Sequence, residues 1–114
     1  MATITADSVL EALSRHIGRA NGARAAELVR EVTGALAPDP VAERRLRQVI
    51  TELRLRGEHV CATPRDGYFM AATDRELDET CEFLHDRALA GLAQIARMKR
   101  ISLPDLRGQL KLPT

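Results

Sequence analysis

The sequence predicts a mainly α-helical domain with one small β-hairpin, an α+β fold, extended by a long C-terminal helix. Three patterns carry that prediction. Apolar residues recur at helical spacing over residues 5–18, 22–33 and 40–56. After Gly57, two short strand-like runs around 58–63 and 67–71 flank Pro64-Arg65-Asp66-Gly67, a turn with a Pro and an Asp-Gly step. A long apolar stripe then runs from Leu77 to Met98. With 114 residues, 45% hydrophobic and 29% charged, the chain has room for one globular core. Tyr68, Phe69 and Phe83 are its only aromatic residues, so Leu, Val, Ile and Ala must build that core.

In the first helix, over 5–18, Ala6, Val9, Leu10, Leu13 and Ile17 form the inward stripe, and Ser8 to Glu11 reads as a capping box. Gly18 and Asn21-Gly22 end it, and His16, just off the stripe, is expected at the surface. The second helix, about 22–33, turns Ala25, Leu28, Val29 and Val32 inward and Arg24, Glu27, Arg30 and Glu31 outward. Residues 33–38 connect to the third, a longer link than the turn of a plain helix-turn-helix.

The third helix has the clearest punctuation. Asp39 caps it, Pro40 suits its first turn, and Gly57 stops it. Leu46, Val49, Ile50 and Leu53 set the core direction. At 100° per residue the outward face then carries Arg44, Gln48, Thr51 and Leu55, with Arg47 on its flank. Leu55 departs from the polar character of that face and is expected to pack against the hairpin or another helix. Arg and Gln are the side chains that make bidentate contacts to base edges in a major groove. Arg54 and Arg56, at the helix end, suit phosphates, and Arg65 stands at the hairpin tip. The chain's net charge is only +1, but residues 40–56 hold five arginines, Arg44, Arg45, Arg47, Arg54 and Arg56, against Glu43 and Glu52. In the hairpin, alternation places Val60 and Ala62 opposite His59, Cys61 and Thr63, and Tyr68 and Met70 opposite Phe69.

The run RRLRQVITELRLRGEHVCATPRDGYFMA, with its Arg-rich helix, ELR-x-x-G, apolar strand and GY-x-apolar pattern, resembles the third-helix-to-wing segment of winged helix-turn-helix regulators. It is similar to the N-terminal DNA-binding domain of the biotin-repressor type and to small winged-helix proteins of phage and prophage origin. The resemblance covers about residues 5–72. It implies a winged-helix DNA-binding domain over 1–72 whose DNA contacts fall on Arg44, Arg45, Arg47, Gln48, Thr51 and Arg65, with Arg54 in support. No biotin-ligase domain follows, so no enzymatic role carries over.

Thr73 caps the last helix, expected over 73–99, with acids in its first turn and Lys99 and Arg100 at its end. Leu77, Cys81, Leu84, Ala88, Gly91, Ile95 and Met98 alternate at four and three, a coiled-coil-like seam that Leu89, Leu92 and Ala96 widen. Residues 73–100 therefore read as a homodimerisation element carried by Leu77, Cys81, Leu84, Ala88, Leu92 and Ile95. Residues 98–114 carry +3 against −3 over 73–97, which favours an antiparallel pair. Residues 101–114 read as a flexible arm or a strap on the partner.

Other chemistries find little support. His59-x-Cys61 and Cys81-x-x-x-His85 each share a face, yet neither has the usual zinc spacing, and free thiols in a reducing cytoplasm are expected. There is no nucleophile elbow, phosphate loop or dinucleotide fingerprint, so no enzyme and no cofactor are expected. No signal peptide or ~20-residue apolar span is read. The expectation is a cytoplasmic, sequence-specific double-stranded DNA-binding regulator of bacterial or phage type, a homodimer that stays off membranes. The alternative is a winged-helix module that docks a protein instead.

Overall fold

The computed structural model describes residues 3–100 and 104, so the remainder of the tail lies outside the described residues. In chain order the elements are α1 (Ala6–Leu13), a 3-10 turn (Arg19–Asn21), α2 (Ala25–Thr33), α3 (Pro40–Leu55), β1 (Val60–Thr63), β2 (Gly67–Met70) and α4 (Asp74–Lys99). The α+β class holds. The chain divides into two compact units, Met1–Thr80 and Cys81–Thr114. The first turns of α4 bond to the hairpin: the Cys61 thiol donates to the Glu76 carbonyl at 3.6 Å.

The core of the first unit lies among α1, α2, α3 and one face of the hairpin. Val9, Ala12 and Leu13 meet Leu28, Val29 and Val32 there, together with Leu46, Val49, Ile50, Leu53 and Val60. All four inward positions read for α3 are buried. The Asp39 side chain accepts from the Ala42 N–H at 3.1 Å, as an N-cap should. Gly57 follows the helix at φ +92°, a conformation that costs glycine little.

α1 is shorter than its sequence pattern. It stops at Leu13, the chain turns at Gly18 (φ +88°), and Ile17 is 52% exposed instead of inward. Its capping box is built by Thr5 and Ser8, one turn upstream of the Ser8–Glu11 reading, with the Thr5 hydroxyl accepting from the Ser8 N–H at 3.1 Å. Half-buried His16 also departs from expectation. Its Nδ1 lies 2.8 Å from the Asn21 carbonyl, and its Nε2 lies 2.9 Å from the Glu31 carboxylate on α2. The imidazole thus ties the turn after α1 to α2.

β1 and β2 pair antiparallel, Val60 with Met70 and Cys61 with Phe69. The segment after α1 adds a third, irregular edge. Ala23 and Tyr68 exchange both backbone hydrogen bonds, at 2.8 and 2.7 Å. The Gly18 N–H donates to the Met70 carbonyl and the Met70 N–H to the His16 carbonyl, each at 2.8 Å. The alternation follows the sequence reading, with an added consequence: both faces are covered. Val60, Tyr68 and Met70 meet the helical core, while Cys61 and Phe69, on the other face, are fully buried. α4 begins where expected, the Thr73 hydroxyl accepting from the Glu76 N–H at 3.2 Å.

Candidate nucleic-acid interface

The buried stripe of α3 fixes which of its side chains face out. Arg44, Arg45, Arg47, Gln48 and Thr51 are all exposed. Their local partners separate them. Arg47 approaches Glu43 at 3.7 Å, one helical turn back, and Arg45 reaches Glu52 at 3.4 Å, two turns on. The Thr51 hydroxyl donates to the Arg47 carbonyl at 3.3 Å. Arg44 and Gln48 have no such bond among the described residues. Four positions apart, they share one strip of the helix. Val41 and Leu55 extend that strip and are 78% and 83% exposed. Leu55 therefore packs on neither the hairpin nor another helix. Arg54 is half-buried, and its Nε donates to the Val60 carbonyl at 2.8 Å, linking the end of α3 to the start of β1. That bond gives Arg54 a structural role besides the phosphate contact expected of it.

The hairpin tip is held from several sides. Arg24, just before α2, donates from Nη1 to the Pro64 carbonyl and from Nη2 to the Arg65 carbonyl, both at 2.8 Å. Thr63 and Asp66 close the turn on themselves. The Asp66 N–H donates to the Thr63 hydroxyl, which in turn donates to the Asp66 carboxylate, each at 2.8 Å. Arg19 sits beside Asp66 at 3.8 Å and pairs through Nη2 with Glu79 of α4. Its backbone N–H donates to Glu76 at 3.1 Å. An open depression lined by Arg19, Thr63, Pro64, Arg65, Asp66 and Glu79 results. The Arg65 side chain is exposed and has no bonded partner among the described residues.

These contacts move the ionisation of three groups. Backbone N–H bonds from Ala72 and then Arg19 hold the Glu76 carboxyl below its ordinary range. The hydrogen bond from Arg19 does the same for Glu79, and Glu79 in turn raises the Arg19 guanidinium. Arg19 is thereby committed to carboxylates inside the fold.

The chain matches no known protein family, no characterised protein and no solved structure at a meaningful level. Its chemistry is carried by its own residues. Among the described residues no three His, Cys, Asp or Glu side chains gather as a metal site. The Cys61 thiol is buried and the Cys81 thiol exposed. No described helix is long and apolar enough to cross a membrane.

Of the positions read as dimerising, Leu77 and Leu92 are half-buried, while Cys81, Leu84, Ala88 and Ile95 are exposed. No local sequence pattern marks Arg19 or Arg24 as part of this region. Arg24 is read as an outward residue of α2, and only its placement two residues past the Gly22 turn hints at another role. Nothing local announces that its partners are forty and forty-one residues away.

Proposed function

We propose that the protein binds double-stranded DNA sequence-specifically, as a transcriptional regulator with a winged-helix domain over 1–72. α3 enters the major groove and the hairpin serves as the wing. The observation that carries this reading is the uncommitted Arg44–Gln48 strip on the outward face of α3, next to flanking arginines already paired with Glu52 and Glu43. In this reading Arg44 and Gln48 read base edges, Arg47 and Thr51 flank them, and Arg45 supports the backbone register. Arg54, Arg56 and Arg65 lie along phosphates. Arg65 suits that task because its backbone is clamped while its side chain is not.

Selection of bound sequences from random duplexes with the purified protein is the test. A defined motif should emerge. Arg44→Ala and Gln48→Ala should each lose about 1–3 kcal/mol of discrimination at one position, while Arg65→Ala should weaken all duplexes alike. Affinity must also fall steeply with salt. No enrichment, together with no retention of DNA at low salt, would remove the reading. Exposed Val41 and Leu55, on the same strip, favour a second one, a protein-docking face. Binding of a partner that persists at high salt and is lost in Leu55→Ser would support that alternative.

A further inference from the structure

We propose that α4 pairs antiparallel with α4 of a second copy of the chain, in one register. The pairing does not depend on the DNA-binding reading. Between Cys81 and Met98 the helix exposes a seam with coiled-coil spacing: Leu84 is 39% exposed, Ile95 37% and Met98 83%. In heptad terms Cys81, Ala88 and Ile95 take the a positions, and Leu84, Gly91 and Met98 the d positions. An antiparallel pair sets a against d. One register alone uses all six, with Cys81 level with Met98 of the second copy, Leu84 with Ile95, and Ala88 with Gly91, each layer occurring twice.

Size and charge agree with that register. The two central layers contain only Ala and Gly, so the helices can approach closely at their midpoint. A Cβ built on Gly91 meets nothing within 4 Å, so the fold itself does not demand glycine there. At the flanking e positions Asp78 comes within two positions of Lys99 of the other copy, which stands level with Thr80. Glu82, one turn on, lies on the same side, so each Lys99 sits between two carboxylates; all three side chains are exposed. A parallel in-register pair instead sets Arg87 beside Leu92 and Gln94 beside Lys99, with no opposite charges in reach.

The exposed Cys81 provides the test, since Cys61 is buried. In the proposed register the two Cys81 residues are offset by seventeen positions, about 26 Å along the helix, far beyond disulfide reach. The full chain should sediment as a dimer at tens of micromolar. Diamide, which takes two protons and two electrons from a thiol pair, should leave it uncross-linked. Met98→Cys should give a covalent dimer through Cys81, and adding Cys81→Ser should abolish it. Lys99→Glu should weaken association about ten-fold, as the four surface pairs of the two Lys99 residues with Asp78 and Glu82 turn from attraction to repulsion. Asp78→Lys with Glu82→Lys in the same chain should restore it. A monomer at that concentration, whether the seam is covered by the chain's own C-terminal residues or by another protein, overturns the proposal. So does a Cys81–Cys81 cross-link in the unmutated chain.

Discussion

Arg24→Met should loosen the hairpin tip without dissolving the core. The guanidinium donates two hydrogen bonds of 2.8 Å, to the Pro64 and Arg65 carbonyls, and methionine keeps most of the aliphatic stem while removing both. A hydrogen bond from a charged donor contributes roughly 1.5–3 kcal/mol where water is excluded. Here Arg24, Pro64 and Arg65 are exposed, so water takes over part of what the guanidinium gave up. The expected loss is therefore about 1–2 kcal/mol in total, with Arg24→Lys roughly half of that because an ammonium lacks the two-pronged geometry. For a unit of this size each kcal/mol lowers Tm by ~4–8 °C. Urea melts measure the global term. Amide exchange at Asp66 and Gly67 measures the local one, and should accelerate more than amides of the α3 core. If Arg24→Met melts within about 0.3 kcal/mol of the parent and its tip amides exchange at the parent rate, the clamp contributes nothing and the positioning argument for Arg65 fails with it.

Two further outcomes follow from the same region. A Cβ on Gly22 would overlap the Asp66 carbonyl oxygen, and one on Gly67 would come 2.5 Å from the Ala23 carbonyl oxygen. Gly67 also sits at φ +81° whereas Gly22 does not have a positive φ, so Gly22→Ala isolates the steric effect at about 1–3 kcal/mol and Gly67→Ala adds backbone strain; thermal melts that left both variants at the parent Tm would mean the Gly22–Ala23 edge does not press on the hairpin. Glu76 and Glu79 titrate below the ordinary carboxylate range when folded, so the unfolded chain takes up their protons first as pH falls. Their contribution is complete above the unfolded pKa near 4.5 and is lost as pH drops through the lower folded values. Melts from pH 6 to 3 should show a decline that Glu79→Gln makes shallower; an identical slope in that variant would refute the role given to its pair with Arg19.

How far the sequence could be read depended on the range of the interactions involved. α3 was legible to within one residue, ending at Leu55 where the reading ran to Arg56, because its signals are local: a capping Asp39, Pro40 in the first turn, four apolar positions on one face and Gly57 beyond the end. The Thr73 cap of α4 belongs to the same class. The hairpin's pairing followed from the Asp-Gly turn and the alternation of its strands. The stop of α1 at Leu13 was not legible, since Ile17 continues the apolar period. Tertiary hydrogen bonds decide there. His16 and Gly18 bond through their backbones to Met70, and a helix continued through them would forfeit those bonds. The same edge explains why His16 left the surface. For the interface, periodicity placed Arg44 and Gln48 on the outward strip, but it could not show which arginines are already paired. Glu43 and Glu52 lie one and two turns from their partners, a spacing equally open to other choices. The clamp of Arg24 on the tip lay beyond any local pattern.

A two-stranded hairpin of this length is marginal on its own, so what surrounds it determines how well its tip is placed. Val60, Tyr68 and Met70 rest on the helical core, Cys61 and Phe69 are sealed on the other face, and Ala23 closes the free edge of β2. Arg24 and the Asp66–Thr63 pair then fix the turn itself. The Arg65 backbone is thus ordered before any ligand arrives, and only side-chain freedom is left to lose on contact, which costs less than ordering a loop. Arg45 and Arg47 have part of their freedom already restricted by Glu52 and Glu43, and those carboxylates also weaken the pull of α3 on a polyanion. Under the DNA-binding proposal this division has a consequence. Nonspecific attraction by α3 is low, so discrimination must come from Arg44 and Gln48, and affinity must draw on the preordered tip and on a second copy of the domain. Joining two such domains through α4 makes the second contact intramolecular and raises affinity without new chemistry.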